Sequence, residues 1–293
     1  MIAITGARGF LGSALVASLE ARGRKVIRIG RGPGSDVRWD PLHGPLDHAA
    51  LAGAEVVIHL AGAPIAQRWT AARKRTIRDS RVEGTRQLAE ACARMPRRPA
   101  LFLSASAIGI YGSRGGEVLD ESSATGEDFL AEVGRAWEEA AAPAREAGMR
   151  VVAVRTGLVL NPEGGALGKM LLPFKAGLGG TLGSGTQWMS WISREDWVRA
   201  MQFIIASPGL SGPVNLTAPE PVTNAVFTET LGRLLHRPTL MPLPAFGLKL
   251  IYGEMAQGTI LASQRVLPRA LTAAGFIFLH PTLATALRVE LRL

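Results

Sequence analysis

The chain is poor in cysteine, tyrosine and lysine. Its 293 residues include one Cys and two Tyr, and of the 33 basic residues only five are Lys. A single thiol, Cys92, excludes an intramolecular disulfide and a Cys-rich zinc site, and it makes a reducing compartment the expected setting. The five histidines (His43, His48, His59, His236 and His280) show no ligand-like spacing, so no metal site is expected. No run approaches the roughly 20 apolar residues of a membrane span. The opening residues Met1-Ile2-Ala3-Ile4 read as a strand rather than as a basic leader with a cleavage site. Cytoplasm is therefore the expected location, with no membrane partner.

What remains is ordinary globular material, 47% hydrophobic and 19% charged, which excludes disorder and collagen-like repeats. The length allows one large α/β domain with an appendage. The net charge of +9 is concentrated, because residues 68–98 hold ten basic side chains against three acidic ones. That segment reads either as a solvated helical face or as a field attracting an anionic ligand such as a phosphorylated cofactor. No aromatic platform accompanies it, so nucleic acid is not an expected partner.

Apolar runs alternate with helical patterns through the first half. Strands are expected at Ile2–Thr5, Lys25–Ile29, Glu55–Leu60, Leu101–Ser104 and Arg150–Arg155. Helices are expected at Leu11–Arg22, Thr70–Met95 and Phe129–Ala147. Val-, Ile- and Leu-rich strands alternating with helices specify a parallel sheet covered on both faces, an α/β doubly wound Rossmann fold. Gly and Pro then punctuate residues 161–185, read as a long irregular loop on the substrate side. A helix over Arg194–Ala206 follows, and Pro213–Leu216 is a further strand expected to return to the sheet. Later helices are expected at Ala225–Leu235, Ala245–Met255 and Leu283–Arg292. The expected division is an α/β domain over 1–160 and a smaller, mainly helical region over 161–293.

Gly6-Ala7-Arg8-Gly9-Phe10-Leu11-Gly12 joins the first strand to the first helix. Glycines at this spacing serve a tight turn, a close approach of main-chain amides to a diphosphate, and packing of helix on strand. The strand–turn–helix context is what makes the motif a dinucleotide site. Where an NAD site places an acid after the second strand, the chain has Ile29-Gly30-Arg31 and no acid before Asp36. Arg31, together with Arg8, suits a 2′-phosphate, so NADP(H) is the expected cofactor. Leu60, Ala61 and Gly62 are small enough to let it lie near the backbone after the third strand. Ser104, at the end of the fourth, and Arg81, on the basic helix, complete the cofactor set. Arg81 is expected on the cofactor side of its helix, and His59 reads as a packed strand residue.

Together GARGFLG, HLAG, SASAIGIYG and RTGLVL resemble the extended short-chain dehydrogenase/reductase superfamily. More narrowly, WDP at 39–41, WTAARKRTIRDSR at 69–81, LLPFKAGLGGTLGSGTQWMSWI at 171–192 and QRVLPRAL at 264–271 resemble its epimerase-like, NAD-dependent epimerase/dehydratase relatives, across essentially the whole chain. The resemblance implies a Rossmann domain with a small carboxy-terminal substrate domain. It also implies a Tyr and a Lys four residues apart on one helix, with a Ser at the preceding strand end, as the proton relay.

That pair is absent. Gly115 stands four residues after Tyr111 and Ala256 four after Tyr252, and the helix expected to carry the pair reads FLAEVGRAWEE. Ser106 matches the strand-end Ser of the resemblance and Tyr111 its following Tyr-Gly, with one extra residue between them. These two are the candidate catalytic residues, and Tyr111 either replaces the missing acid or lines the substrate pocket. Glu132, Arg135 and Glu138 read as surface charges, Lys169 and Gln187 as possible substrate contacts, and Trp188 and Trp191 as either contacts or core. Two functions stay open: an NADP(H)-dependent epimerase-like oxidoreductase of unknown substrate, and a non-catalytic NADP(H)-binding sensor or scaffold. A small-molecule substrate and a monomer or homodimer complete the expectations.

Overall fold

The computed structural model describes residues 1–293. At its centre is a seven-stranded sheet of β1 (Ile2–Thr5), β2 (Val26–Gly30), β3 (Val37–Arg38), β4 (Val56–His59), β5 (Leu101–Ala107), β6 (Arg150–Thr156) and β7 (Gly212–Leu216). The strands run in the order β7-β6-β5-β4-β1-β2-β3, and every neighbouring pair is parallel. The sheet packs between helices on both faces, the Rossmann arrangement expected from the alternating runs.

Period-two geometry explains why these strands are apolar almost throughout. Ile2, Ile4, Val56, Ile58, Leu101, Leu103, Val152 and Val154 face one side, where α1 (Phe10–Glu20) and α6 (Arg194–Ala206) supply Leu15, Trp197 and Met201. Ala3, Val57, Phe102 and Val151 face the other, against Leu88 and Cys92 of α2 (Ala71–Ala93) and Ala144. Each fully buried Ile or Leu contributes about 2 kcal/mol of transfer free energy. The α6 start follows the capping pattern: Ser193 Oγ accepts from Asp196 N at 3.1 Å, and buried Asp196 accepts from Leu279 N and His280 N at 3.0 and 2.9 Å.

Several boundaries differ from expectation. The helix expected over Phe129–Ala147 is two, α3 (Phe129–Glu139) and α4 (Ala142–Glu146), with Pro143 in the first turn of the second. Within 161–185 lies a helix, α5 (Gly165–Lys175), concealed in the sequence by Gly164, Gly165, Gly168 and an internal Pro173. It buries Leu171 and Phe174 beside Trp191, Phe227 and Leu287, forming a separate core with α7 (Asn224–Leu234) and a later helix. Next come α8 (Ala245–Tyr252), shorter than expected because Gly253 takes a positive φ, then α9 (Arg269–Ala273) and α10 (Leu283–Leu291). β7 lies beside β6 in the main sheet although the segment that follows it, with Ala218 and α7, belongs to the smaller core.

Strand order reverses between β1 and β4, which opens a crevice at their carboxyl ends. His59 ends β4 there, fully buried, with Nδ1 2.6 Å from Thr5 Oγ1. Burial first, and then the charge of Arg81, depress its pKa from 6.5 to about 4. The folded chain therefore resists protonating a histidine that the unfolded chain protonates near pH 6.5. Stability from this group is full above that pH and is lost as pH falls toward 4, by roughly 3 kcal/mol. Urea unfolding across this range should show that loss in the parent chain, and His59→Gln should flatten it. An equal slope in the variant would rule His59 out as its source.

Candidate cofactor and active site

The glycine turn is built by backbone contact. Gly6 has φ +69°, and a Cβ there would lie 2.8 Å from the Leu60 carbonyl carbon and 2.9 Å from Ala61 N. A Cβ on Gly12 would lie 2.1 Å from Gly6 O. The first and third glycines thus let β1, α1 and the end of β4 meet. Gly9 differs: it is exposed and caps α1 without a side chain, and a Cβ there would meet only Gly6 O, at 3.2 Å. The first-turn amides of a helix lack intrahelical acceptors, so those of Phe10, Leu11 and Gly12 form an anion site with nothing projecting from Gly9 into the approach. Residues present here fit a dinucleotide diphosphate.

One side of this site is cationic. The Arg8 guanidinium donates to Pro33 O and lies against Gly34, in the loop that begins at Arg31. Both arginines are exposed. Asp36 does not oppose them, because its carboxylate accepts from Arg28 N at 2.7 Å and is thereby turned toward β2. The opposite wall is Leu60-Ala61-Gly62, where Ala61 N donates to Thr5 Oγ1 at 3.3 Å.

Arg81 supports that wall from behind. Its Nη1 donates to Ala63 O at 3.1 Å and to Ile77 O at 3.0 Å, and its guanidinium lies 5.0 Å from the Trp137 ring centroid. Burial depresses its pKa to about 10. With Nη1 turned to backbone carbonyls, one face to an indole and the guanidinium beside Gly62, Arg81 braces the 60–63 loop. Two other cations of the basic segment are paired within the chain: Arg86 with Glu83 and Glu90, and Lys74 with Glu254.

At the end of β5 the candidate side chains turn inward. Ser104 is buried and donates to Ala105 O at 3.1 Å. Ser106, also buried, donates to Glu138 Oε1 at 2.7 Å. Glu138 further accepts a two-pronged contact from Arg155 Nε and Nη2, both at 2.8 Å. Arg155 Nη1 donates to the Tyr111 hydroxyl at 2.9 Å, and that hydroxyl donates to Asn215 Oδ1 at 2.8 Å. Asn215 Nδ2 then reaches Leu267 O at 3.0 Å, tying the sheet to the carboxy-terminal part.

Tyr111 has no exposed surface. Burial raises its pKa, although Arg155 opposes the shift. Both its donor and an acceptor position are taken, so the hydroxyl does not face a reactant, which corrects its candidacy as the replacement acid. Glu138 departs from its surface reading, whereas Glu132 and Arg135 of α3 are exposed. Although burial disfavours the charge on Arg155, the Glu138 carboxylate raises its pKa overall. A cleft of about 510 Å³ beside Glu138 and Arg155 opens between Thr125, Arg135 and Arg145.

The residues of α3 that meet the 108–111 turn at i, i+4 spacing are Leu130 and Gly134. A Cβ on Gly109 would lie 3.4 Å from Leu130, and one on Gly134 would lie 2.9 Å from Ile110 Cβ. This contact is apolar and carries no proton. On the substrate side, Trp191 is fully buried with Nε1 donating to Glu220 O, and Gln187 is buried and donates to Leu182 O. Trp188 is half-buried beneath the Arg265 guanidinium, 4.2 Å from its ring centroid. Lys169 is exposed. Glu138, Arg155 and Asn215 were missed by sequence reasoning. The available signal was an Arg closing an otherwise apolar strand, which needs a buried counter-charge.

Comparison with known proteins agrees with this geometry. Residues 2–216 match the family model described as the NAD dependent epimerase/dehydratase family, and residues 243–289 match a domain of unknown function, DUF1731. Epimerase family protein Mb2239 of Mycobacterium bovis is 47% identical over 291 residues, covering 98% of this chain and 96% of that protein. Epimerase family protein YfhF of Bacillus subtilis is 37% identical over 294 residues, covering 98% and 96%. The crystal structure of human epimerase family protein SDR39U1 with NADPH superposes with a TM-score of 0.90 at 32% identity, covering 100% of this chain and 99% of that one. Glycine turn, sheet order and near full-length similarity place the chain as a member of the NAD dependent epimerase/dehydratase family.

Proposed function

We propose that the chain binds NADP(H) along the Gly6–Gly12 turn and works as an epimerase-like oxidoreductase on a small-molecule substrate, without the Tyr–Lys pair. The observation that carries the cofactor assignment is the Arg8 guanidinium lying against the loop that starts at Arg31, while Asp36 is turned away toward Arg28. Two guanidinium groups on one edge suit a 2′-phosphate, and no carboxylate is offered to a ribose 2′-hydroxyl. The human relative, whose structure contains NADPH, supports the same reading.

Bound nicotinamide would supply hydride chemistry. The chain's own residues hold the diphosphate at the amides of α1 and keep the 60–63 wall in place through Thr5 and Arg81. Ser106 and Tyr111 act as positioning residues: their hydroxyl protons are committed to Glu138 and Asn215, and they fix the end of β5 against β6 and β7. A proton exchanged with substrate then comes from water or from the substrate itself. A cytoplasmic setting goes with this reading, on the single-cysteine composition of the chain.

The second reading, a binder without turnover, is favoured by one observation, the apolar packing of Leu130 and Gly134 where a relay is expected. Assay with NADPH and a panel of carbonyl compounds, followed by the loss of reduced-nicotinamide absorbance, separates the two. Turnover supports the enzyme, and binding without turnover of any compound supports the sensor.

NADPH should bind more tightly than NADH. Arg8→Ala and Arg31→Ala should each weaken NADPH by about tenfold while leaving NADH unchanged, as loss of a charge-assisted contact to phosphate requires. Fluorescence titration of the four pairings checks this, and equal losses for both nucleotides would refute the 2′-phosphate assignment. UDP-glucose should not be epimerised at an appreciable rate even with cofactor present, and rapid conversion would show that another group performs the relay.

A further inference from the structure

The substrate-side half carries a surface that the cofactor site does not use. Met241 N donates to Gly179 O at 3.2 Å and Leu243 N to Thr181 O at 2.8 Å, joining these two segments into a ribbon from which α8 follows directly. Leu178, Leu240, Met241, Phe246 and Leu250 project from this ribbon and helix. Leu240 is 82% exposed, and Phe246 and Leu250 are each 75% exposed. Leu248 is the only buried residue of α8. The helix therefore buries one side chain, with Arg68 Nη1 donating to Leu250 O at 3.3 Å, and turns Phe246 and Leu250, one turn apart, outward. Side chains this exposed are protruding knobs rather than groove walls, and a contiguous patch of them marks an interaction surface.

Charge decides what covers it. No Asp or Glu occurs at positions 164–194 or 230–253, although elsewhere the chain carries 24 of them. The same stretches hold Lys169, Lys175, Arg233, Arg237 and Lys249, all exposed, including three of the five lysines in the chain. A two-fold dimer through this face would set like charges against one another. An anionic lipid surface suits both features: apolar knobs enter the boundary between headgroups and acyl chains while ammonium and guanidinium groups stay at the headgroups.

We propose that this face docks the protein peripherally on an anionic lipid surface. No helix is long and apolar enough to cross a membrane, so the attachment lies on the bilayer and not through it. This proposal departs from the expectation of no membrane partner, since an exposed apolar stripe needs no spanning run.

Co-sedimentation of the full chain with vesicles tests the proposal. The protein should pellet with phosphatidylcholine mixed with phosphatidylglycerol and stay in solution with phosphatidylcholine alone, and added salt should release it. Phe246→Ser combined with Leu250→Ser should lower the partition coefficient at least tenfold, to order of magnitude. Lys249→Ala should lower it about fivefold. Melting temperature and NADPH affinity should not change in these variants, because the altered side chains are exposed and lie outside the cofactor site. The proposal is overturned if neither vesicle pellets the chain, if both do so equally, or if the double variant pellets like the parent. It is also overturned if the chain ignores vesicles and forms a dimer that the double variant dissolves, since the occupant is then a second copy.

Discussion

Everything at the crevice depends on how closely the Gly6–Gly12 turn approaches the end of β4. A Cβ at Gly6 would sit within 3 Å of the Leu60 and Ala61 backbone, and one at Gly12 would overlap Gly6 O. Only bare backbone permits this separation. It sets the amides of α1 beside the Leu60-Ala61-Gly62 wall and brings Arg8 over the loop after β2, against Pro33 and Gly34. Thr5, at the end of β1, links both walls by contacting His59 and Ala61. The same few residues thereby shape the glycine turn and set exposed Arg8 on one edge of it.

The second organising feature is a buried ion pair. Removing Arg155 and Glu138 from water is costly, and such a pair is tolerated where hydrogen bonds satisfy its remaining atoms. Here Ser106, Tyr111 and Asn215 supply them. The network joins β5, β6, β7 and α3, and through Asn215 and Leu267 it reaches the carboxy-terminal part. It occupies the polar groups at the end of β5, while Leu130 and Gly134 close the adjoining face of α3 with apolar contact. The hydroxyl protons of Ser106 and Tyr111 are taken up inside this network.

Much of this was legible in sequence because its determinants are local. Strands buried on both faces read as continuous apolar runs, the glycine spacing fell between a strand and a helix, and the missing Tyr–Lys pair followed from having two tyrosines. Failures occurred where tertiary partners override local signals. Gly164, Gly165, Gly168 and Pro173 conceal α5, whose stability comes from burying Leu171 and Phe174 in a core assembled from distant segments. Glu138 looks like a surface charge until Arg155 is folded against it. Arg81 is a similar case, since its contacts with Trp137 and the 63 carbonyl are set by the fold.

Gly9 offers the most direct test of the turn, because its added methyl meets one atom at 3.2 Å and so leaves the fold nearly undisturbed while standing in the path of the diphosphate. Isothermal titration of Gly9→Ala with NADPH, alongside its melting temperature, should show affinity reduced at least tenfold, to order of magnitude, with thermal stability close to that of the parent. Unchanged affinity in a folded Gly9→Ala chain would mean that the nucleotide does not pass over these amides, and would contradict the account.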